Sequence, residues 1–354
     1  MTPPTTPLPV AVLGATGSVG QRLISLLDGH PWFRLERVMA SPNSVGQLYG
    51  ERVQWMQTTP LPSQAAGLTL ESCEISDPPP LVLSALGADV AGPIESRMAA
   101  AGAVVVSNAA SHRLDGDVPL LVPEINSEHL AIAEAQAKRF GTGRLLTNPN
   151  CSSMGLSLAL APLHKAFTVE RVHVVTLQAL SGAGIPGIPA MSAMDNVIPH
   201  ITGEEEKLAT EPAKILGQLQ GLEIAPAQLT ISAQCTRVPV VDGHTLCVSV
   251  GFSQTVTADE VRAAWNEFCG PDDVACLPSA PTHPIITLSG RNVPQPRLHR
   301  DLGNGMSVTV GQLRPCPLLQ WRFVTLSHNT VRGAAGGALL TAELAVTRGL
   351  LSGR

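Results

Sequence analysis

The stretch that decides the fold reads Pro9-Val10-Ala11-Val12-Leu13-Gly14-Ala15-Thr16-Gly17-Ser18-Val19-Gly20. A short apolar run, typical of a buried strand, leads into a glycine-rich turn, and leucine and isoleucine then recur at helical spacing over residues 23–27. A strand, a glycine turn and a helix in this order hold a dinucleotide pyrophosphate on main-chain N–H groups. The glycines follow the pattern GxxGxxG, for which a plain tight turn is the alternative. We predict cofactor binding at Gly14, Thr16, Gly17, Ser18 and Val19.

Strands and helices alternate through the segments that follow. Strands are expected over residues 35–40, 81–86 and 103–107, and a helix over residues 94–101. This alternation predicts an α/β fold with a Rossmann-like, doubly wound parallel sheet. Cofactors bind beyond the carboxyl ends of such strands. We therefore expect Ser84, Ala85, Ser107 and Asn108 to lie near the nicotinamide.

The residues after the second predicted strand bear on the choice of cofactor. NAD enzymes commonly place Asp or Glu there to bind the ribose 2′-hydroxyl, whereas this chain continues Ser41-Pro42-Asn43-Ser44. Because no acid is present to repel a 2′-phosphate, NADP is favoured, with Ser41 and Ser44 as contacts. No Arg or Lys stands between residues 41 and 50, so NAD stays an alternative.

One of the seven cysteines differs from the others in its setting. Cys151 follows the polar lead-in Asn148-Pro149-Asn150 and precedes an apolar run with leucines at helical spacing. It should sit at or just before a helix N-terminus, where main-chain N–H groups and the helix dipole lower the pKa of a thiol. The alternative is a buried structural cysteine. We predict that Cys151 is a nucleophile in its thiolate form.

Two later segments offer partners for this nucleophile. Residues 171–177 are typical of a strand, which ends at Gln178 in a glycine-rich loop. Gln178 either orients a carbonyl group or anchors the loop. Residues 237–252 are typical of a hairpin with an Asp-Gly turn that places His244 at an exposed tip. A histidine held there titrates near neutrality and can move protons for Cys151, the alternative being a solvated side chain.

Charged residues elsewhere have both structural and functional interpretations. Arg113, just past a predicted strand, can bind a phosphate or carboxylate with two N–H groups or remain a solvated charge. Thr202 and Glu205 fit a capping box at the start of a helix. A helix start explains the charged residues around Glu205 without any substrate. From the sequence pattern alone, Glu204 and Lys207 are therefore weak candidates for substrate contacts.

Length and composition bound the class of protein. A chain of 354 residues predicts two domains, and a hydrophobic content of 44% is ample for two cores. Charged residues make up only 14%, below the roughly 25% typical of soluble domains, and the mean hydropathy is +0.18. We therefore expect part of the surface to be covered in an oligomer. A net charge of −5 without a basic run disfavours nucleic acid or an anionic membrane as the partner.

The sequence also indicates the compartment. No apolar run reaches the ~18 residues of a membrane span, and the first residues lack the pattern of a signal peptide. The cysteines form no CxxC pair and the histidines show no ligand spacing. We expect reduced thiols, a cytoplasmic protein and no metal site.

A helix of small residues after Ser327 is expected to return to the N-terminal domain.

Together these motifs resemble the aspartate-semialdehyde dehydrogenase family, in the branch found in archaea and fungi. The specific matches are Asn-Pro-Asn-Cys at residues 148–151, Glu-Glu-Glu-Lys at residues 204–207 and Asn-Thr-Val-Arg-Gly-Ala-Ala-Gly at residues 329–336. The other matching segments are residues 14–20, 107–113, 178–184 and 237–244. The glycine turn alone is not specific to this family.

The resemblance implies reduction of L-aspartyl 4-phosphate by NADPH to L-aspartate 4-semialdehyde and phosphate, on the route to lysine, threonine and methionine. It implies that Cys151 carries the acyl group as a thioester and that His244 acts as the acid and base. By the same resemblance, Gln178 orients the acyl group, Arg237 binds the substrate carboxylate and Glu204 binds its amino group. Arg113 and Lys207 bind the phosphate, and Asn108 is a further substrate contact. Ser181, Gly182 and Asn329 are implied to contact the cofactor.

The resemblance also implies an architecture and an assembly. We expect an NADP-binding domain at residues 1–150, an α+β catalytic and dimerisation domain at residues 151–328, and a C-terminal helix at residues 329–354 that packs on the first domain. A homodimer or homotetramer is expected. Two other functions stay open: malonyl-CoA reductase on the same scaffold, and a regulatory nucleotide-binding protein without turnover.

Overall fold

A computed structural model of the chain describes residues 4–351. Among these residues the strands are β1 (Leu8–Leu13), β2 (Phe33–Ala40), β3 (Leu70–Ser72), β4 (Leu81–Ser84), β5 (Val104–Ser107), β6 (Arg144–Thr147), β7 (Val169–Gln178), β8 (Gln218–Gln220), β9 (Glu223–Ala225), β10 (Thr230–Arg237), β11 (His244–Phe252), β12 (Ile285–Thr287), β13 (Val308–Pro315) and β14 (Trp321–Ser327). The α-helices are α1 (Ser18–Leu27), α2 (Tyr49–Arg52), α3 (Ser63–Ala66), α4 (Ala88–Ala100), α5 (Pro123–Asn126), α6 (Ala137–Phe140), α7 (Cys151–Phe167), α8 (Ala190–Ala193), α9 (Glu204–Ile215), α10 (Ala258–Asn266), α11 (Asp272–Ala275), α12 (Pro296–His299) and α13 (Gly336–Thr347). A π-helix at Val331–Ala335 runs directly into α13.

The first sheet contains six parallel strands in the order β3-β2-β1-β4-β5-β6. Dinucleotides bind where such an order reverses, beyond the carboxyl ends of the strands beside β1. Apolar residues of α1 and α13 cover one face of the sheet, and those of α4 and α6 cover the other. The predicted doubly wound parallel sheet is confirmed. Strand β6 adds to the predicted strands, and it ends at Thr147, directly before the polar lead-in to Cys151.

The second sheet is mixed, in the order β10-β7-β11-β14-β13-β12. Strand β7 lies between β10, which is parallel to it, and β11, which is antiparallel. The predicted hairpin over residues 237–252 is therefore wrong. The Asp-Gly turn is present, with Gly243 at a φ of +102°. The segment between β10 and β11, however, is hydrogen-bonded to the end of β7: Val238 N–H donates to the carbonyl of Gln178, and Leu180 N–H donates to the carbonyl of Val240.

One face of the second sheet carries the second core. Helices α7 and α10 pack there through residues such as Leu156, Leu160 and Trp265. The indole N–H of Trp265 donates to the carbonyl of Ala159 on α7 at 2.9 Å. This packing fixes the axis of α7, and hence the position of Cys151 at its first residue.

The C-terminal helix α13 belongs to the core of the first sheet. Leu339, Leu340 and Leu344 lie in the same apolar cluster as the inner residues of α1 and β1. Glu343 is fully buried and accepts a hydrogen bond from Nε2 of His30 at 2.9 Å. The expected return of the chain to the N-terminal sheet is therefore present. Over residues 4–351 no helix is both long and apolar enough to cross a bilayer.

Candidate active site

A cleft of about 600 Å³ opens between the carboxyl edge of the first sheet and the second sheet. Most of the residues predicted from the sequence line it: Gly17, Ser18, Val19, Ala85, Asn108, Arg113, Cys151, Gln178, Ser181, Gly182, Glu204, Lys207, Arg237 and Asn329. The predicted residues outside its lining are Gly14, Thr16, Ser41, Ser44, Ser84 and His244. The cofactor turn and the cysteine thus face one another across a single cavity.

The glycine turn packs closely against the residue after β4 and against itself at the start of α1. Gly14 has a φ of +70°, and a Cβ there would lie 2.6 Å from the carbonyl oxygen of Ala85. A Cβ at Gly20 would overlap the carbonyl oxygen of Gly14. Helix α1 begins after Gly17 without a side-chain cap, so its first N–H groups are available to an anion at the cleft. These features fit the pyrophosphate of a dinucleotide.

Cys151 is the first residue of α7, as predicted. Asn150 is the N-cap residue, and its Oδ1 accepts from the N–H groups of Ser152 at 2.9 Å and Ser153 at 3.3 Å. The Sγ of Cys151 lies 3.2 Å from Nε2 of His244. The nucleophile and the imidazole that the sequence indicates are therefore in contact.

The pKa of the Cys151 thiol is raised in this protein. Burial and the charge of Glu204 raise it to about 12, although Arg113, Arg237 and Lys207 act in the opposite direction. The predicted lowering of this pKa is therefore wrong. The free-energy cost of removing a thiolate from water exceeds the stabilisation that one helix N-terminus provides.

His244 is the first residue of β11 and is fully buried, so its predicted exposed position is wrong. The reason is topological, because β11 is an inner strand between β7 and β14. Its Nδ1 accepts a hydrogen bond from the main-chain N–H of Ala179 at 3.0 Å. Burial, followed by the charge of Arg237, lowers the pKa of His244 to about 3. Titration near neutrality, expected from the sequence, is therefore wrong as well.

Helix α9 begins at Glu204, and the predicted capping box is absent. The N-cap residue is Gly203, with a φ of +74° and no side-chain cap. Glu205 instead accepts a hydrogen bond from the main-chain N–H of Cys235 at 3.1 Å. Contact with β10 takes this carboxylate away from the helix terminus.

Glu204 connects several elements of the site. Its carboxylate accepts hydrogen bonds from Nδ2 of Asn150 at 2.9 Å, Nε2 of Gln178 at 3.0 Å and Nζ of Lys207 at 2.8 Å. Burial alone would raise the pKa of Glu204, but these three partners lower it below its usual value. The carboxylate therefore stays charged and fixes Gln178 beside His244.

Arg113 is buried and largely engaged within the protein. Its Nη1 donates to Glu211 at 2.9 Å, its Nε to the carbonyl of Asn148 at 2.9 Å and its Nη2 to the carbonyl of Asn108 at 2.6 Å. Glu211 also accepts from the main-chain N–H of Asn150 at 2.7 Å. Three of the five guanidinium N–H groups are used in this way, and two are left for an anion in the cleft.

Arg237 lies at the end of β10, close to the cysteine. Its Nη1 donates to the carbonyl of Ala179 at 2.8 Å. Burial lowers the pKa of this guanidinium, whereas Cys151 and Glu204 raise it. With Lys207 it gives the cleft a second and a third cation, which suits a substrate that carries more than one negative charge.

Hydrogen bonds join predicted cofactor residues from distant segments in two separate groups. Nδ2 of Asn329 donates to Oγ of Ser181 at 2.7 Å, and its Oδ1 accepts from the N–H of Gly243 at 2.8 Å. The carbonyl of Ser84 accepts from the side-chain amide of Asn108 at 3.0 Å. At the end of β2, Ser41 is exposed and Ser44 is buried.

A buried ion pair, absent from the sequence predictions, includes a residue of the π-helix that packs against Cys151. Arg332, fully buried in the π-helix, forms two hydrogen bonds with Glu124 of α5. In the same π-helix a Cβ at Gly333 would lie only 2.6 Å from the Cβ of Cys151. Asn150 and Glu211 were also missed as site residues. The N-cap pattern before Cys151 could have indicated Asn150, whereas no local signal identifies Glu211 or Glu124.

The arrangement is that of a covalent catalyst for an acyl group. A thiol, an imidazole and an amide meet at one end of a cleft whose other end can bind a dinucleotide, and cations lie between them. Within residues 4–351, no group of three His, Cys, Asp or Glu side chains is placed to hold a metal ion.

Comparison with known proteins identifies the family. Residues 9–133 match the family described as semialdehyde dehydrogenase, NAD binding domain, and residues 160–332 match semialdehyde dehydrogenase, dimerisation domain. The aspartate-semialdehyde dehydrogenase of Archaeoglobus fulgidus is 45% identical over 339 residues, which cover 95% of this chain and 97% of that protein. This chain belongs to the aspartate-semialdehyde dehydrogenase family.

Other members of the aspartate-semialdehyde dehydrogenase family agree with this assignment. The protein of Cryptococcus neoformans is 44% identical, with 97% of this chain and 98% of that protein covered. The crystal structure of aspartate semialdehyde dehydrogenase with NADP from Candida albicans has 38% identity and a TM-score of 0.88, covering 98% of this chain and 100% of that one. The resemblance drawn from the motifs is confirmed. These relatives give no support to malonyl-CoA reductase or to a protein without turnover.

Proposed function

We propose that this aspartate-semialdehyde dehydrogenase reduces L-aspartyl 4-phosphate with NADPH and releases phosphate and L-aspartate 4-semialdehyde. The observation that carries the proposal is the 3.2 Å contact between Sγ of Cys151 and Nε2 of His244, at a cleft that also opens onto the glycine turn. A nucleophile and an imidazole within hydrogen-bond reach are what a covalent acyl-transfer mechanism requires.

Cys151 is the acyl carrier in this proposal. Its sulfur attacks the acyl carbon as a thiolate, the bond from carbon to the phosphate oxygen breaks, and a thioester remains on Cys151. Bound NADPH supplies the hydride that reduces this thioester. The resulting thiohemiacetal releases the aldehyde and returns the sulfur. The amide of Gln178, fixed by Glu204, orients the acyl group beside His244.

The charged side chains of the cleft bind the two ends of the substrate in this proposal. Arg237 binds the α-carboxylate, and Lys207 with the two remaining N–H groups of Arg113 binds the phosphate. Glu204 receives the substrate ammonium. Because Lys207 already donates to Glu204 at 2.8 Å, the ammonium takes over this contact as Lys207 turns to the phosphate. Asn108 lies beside this part of the cleft as a further contact.

The cofactor of the proposal is NADP. It is bound in the Candida albicans relative, and the end of β2 offers Ser41 without an acid that would repel a 2′-phosphate. Gly14, Thr16, Gly17, Ser18 and Val19 hold the pyrophosphate. Ser84, Ala85, Ser181, Gly182 and Asn329 surround the nicotinamide, and Ser44 supports Ser41.

The reverse reaction gives a direct assay. L-aspartate 4-semialdehyde should reduce NADP only when phosphate is present, followed as the absorbance of the reduced cofactor. Parallel reactions with NAD measure the cofactor preference. Activity that depends on coenzyme A in place of phosphate would contradict the proposed substrate, and absence of turnover under all these conditions would contradict an enzymatic role.

The open face of the second sheet is the proposed dimer interface. Four residues are paired across neighbouring strands on this face, and each is exposed or half-buried: Gln234, Val175, Cys247 and Val324. The opposite face packs against α7 and α10. The family description of residues 160–332 as a dimerisation domain supports a second copy of this chain as the partner. A tetramer would need a further surface.

A charge on this face tests the interface. Val175→Glu places a carboxylate at the centre of the paired residues, where burial without a partner is unfavourable. We expect sedimentation velocity to show a shift from dimer towards monomer. The matched control is Val90→Glu, which changes a valine that is 45% exposed on α4. A dimer that withstands Val175→Glu at the same concentrations would rule out this face.

The domain assignment and the compartment complete the proposal. Residues 1–150 bind the cofactor, residues 151–328 carry the catalytic and dimerisation surfaces, and the helix after residue 328 packs on the first domain. All seven cysteines are free thiols. This supports the cytoplasm as the place where the reaction occurs.

A further inference from the structure

Helix α9 carries two charged side chains beyond those that face the substrate. We propose that these two, Glu211 and Lys214, are positioning residues that hold Arg113 and its loop at a fixed place beside the N-terminus of α7, so that the phosphate-binding guanidinium is set before substrate enters. This deepens the proposed function, on whose assignment of the phosphate to Arg113 it rests. Neither Glu211 nor Lys214 touches the substrate in this proposal.

The carboxylate of Glu211 joins two separate segments. One oxygen accepts from Nη1 of Arg113 at 2.9 Å, and the other accepts from the main-chain N–H of Asn150 at 2.7 Å. Glu211 is only 2% exposed, so both contacts lie out of water. Within residues 4–351, no other carboxylate is within ion-pair distance of Arg113. A single side chain therefore sets the distance from the guanidinium to Asn150, the N-cap residue of α7.

The ammonium of Lys214 holds the main chain of the Arg113 loop. Its Nζ donates to the carbonyls of Arg113, Asp115 and Val118, each at 2.8 Å. An ammonium has three N–H groups, so all of them are used within the protein. The cation also lies in the last turn of α9, where it complements the negative end of the helix dipole. Lys214 thus fixes the backbone from which Arg113 extends, while Glu211 fixes its guanidinium.

The supports and the substrate contacts of α9 share one face of the helix. Residues three or four positions apart in a helix lie one above the other. This spacing relates Glu204, Lys207, Glu211 and Lys214. A row of charges suits any solvated helix face, but here the first two side chains line the cleft, whereas the last two bind Arg113 and its loop. One helix therefore carries two proposed substrate contacts and the supports of a third.

The two proposed phosphate ligands differ in their freedom to move. Nε, Nη1 and Nη2 of Arg113 each donate to a group of the protein, and because a guanidinium is planar, these contacts fix the directions of its remaining N–H groups. Within the described part of the chain, the ammonium of Lys207 donates only to Glu204, and its side chain is 32% exposed. Lys207 can therefore turn to an incoming phosphate, whereas Arg113 marks the place that the phosphate must occupy.

Glu211→Gln tests the bridge at almost constant shape. An amide has one oxygen, so it can accept from Arg113 or from the Asn150 N–H but not from both, and its NH₂ group then faces a second donor. In the reverse reaction at saturating NADP, we expect the KM for phosphate to rise about tenfold or more and the KM for L-aspartate 4-semialdehyde to change less than about twofold. A merely structural role would lower kcat through the loss of folded protein and leave the KM for phosphate unchanged.

Glu205→Gln is the matched control. It changes a carboxylate of the same helix that accepts from the main-chain N–H of Cys235 at 3.1 Å and has no hydrogen bond with Arg113. The KM for phosphate should stay near that of the unchanged protein. Measurements at pH 7 keep Lys214 protonated, because burial lowers its pKa only to about 8. An unchanged KM for phosphate in Glu211→Gln, or an equal rise in the control, would overturn the proposal.

Two further variants show whether the effect passes through Arg113. In Arg113→Met, which lacks the guanidinium, adding Glu211→Gln should change the KM for phosphate by less than about twofold, because residues that act through one contact are not additive. Full additivity would show that Glu211 acts elsewhere. Lys214→Met removes the three donors to the loop and should also raise the KM for phosphate. If Glu211→Gln fails to fold, an unchanged KM in Lys214→Met overturns the proposal.

The failure of this proposal is distinguishable from that of the proposed function. If the unchanged protein shows no phosphate-dependent turnover, the proposed function is wrong, and the binding of inorganic phosphate, followed by the ³¹P line width, still compares it with Glu211→Gln. Weaker binding in the variant supports the positioning role. Equal binding, or none in either protein, overturns it.

Discussion

The glycine turn and the cysteine centre differ in how far apart in the chain their parts lie. Gly17 N–H donates to the carbonyl of Gly14, and Gly20 packs against the same carbonyl. By contrast, Cys151 meets His244 across 93 positions, and Asn150 meets Glu204 across 54. The turn is a local structure that one segment specifies. The cysteine centre, formed by Asn150, Cys151, Glu204 and His244, exists only when the two sheets and α9 are packed together. Its chemistry therefore depends on contacts between distant segments.

The largest effect is expected at the cysteine itself. Cys151→Ala removes the acyl carrier, and turnover should fall on the order of 10⁴-fold or more. Cofactor binding, which depends on the turn across the cleft, should stay nearly unchanged. Initial rates and a fluorescence titration with NADPH measure the two properties. Retained turnover would refute the covalent mechanism, and lost cofactor binding would show that the two regions are not independent.

The buried ion pair behind the cysteine should have the next largest effect. Glu124→Gln leaves the guanidinium of Arg332 buried without its charge partner, which costs about 3–5 kcal/mol. The free energy of unfolding from denaturant titration measures this loss. Combining Glu124→Leu with Arg332→Met removes both charges, and it should recover most of the stability. If Glu124→Gln is as stable as the unchanged protein, Arg332 does not depend on the charge of Glu124 for its burial.

A smaller effect is expected in the turn. The Cβ introduced by Gly20→Ala overlaps the carbonyl oxygen of Gly14, and such overpacking costs about 1–3 kcal/mol. The dissociation constant for NADP should rise, whereas alkylation of Cys151 should proceed at its usual rate. Gly116→Ala is the control, because a Cβ there has no neighbour within 4 Å. Normal cofactor affinity in Gly20→Ala would mean that the turn does not hold the pyrophosphate.

The pH dependence of the thiol gives the finest comparison. Because the pKa of Cys151 is raised to about 12, its thiolate fraction should increase about tenfold per pH unit between about pH 7 and pH 10. The rate of reaction with iodoacetamide, minus that of Cys151→Ala, follows this fraction. A rate that is already constant at neutral pH would show that the resting thiol is ionised and that the charges of the centre outweigh its burial.

The parts of the protein that the sequence predicted well are those with local signals. The alternation of strands and helices predicts the first sheet, and the N-terminal position of Cys151 on α7 follows from its polar lead-in and the apolar run. The second sheet was harder, because the Asp-Gly turn before His244 is a genuine hairpin signal. Insertion of β7 between β10 and β11 overrides that signal through pairing that no short segment encodes.

Most of the substrate-binding roles came from resemblance to a family, and the structure adds the contacts between these residues. Burial raises the pKa of Cys151, which was expected to be lowered, and lowers that of His244, which was expected to titrate near neutrality. Burial depends on the tertiary packing of distant segments. Glu211 and Glu124 organise Arg113 and Arg332 without any pattern in their own neighbourhood. The roles assigned to the substrate and cofactor contacts, and the domain boundaries after residues 150 and 328, stay predictions.

The packing of α13 has a consequence for how the chain folds during synthesis. The contact between His30 and Glu343 joins residues 313 positions apart, and leucines of α13 complete the core on one face of the first sheet. While the ribosome is still translating the second sheet, that face of the cofactor-binding half lacks its cover. The first half therefore cannot reach its final stability on its own, and its completion waits until the helix emerges from the exit tunnel.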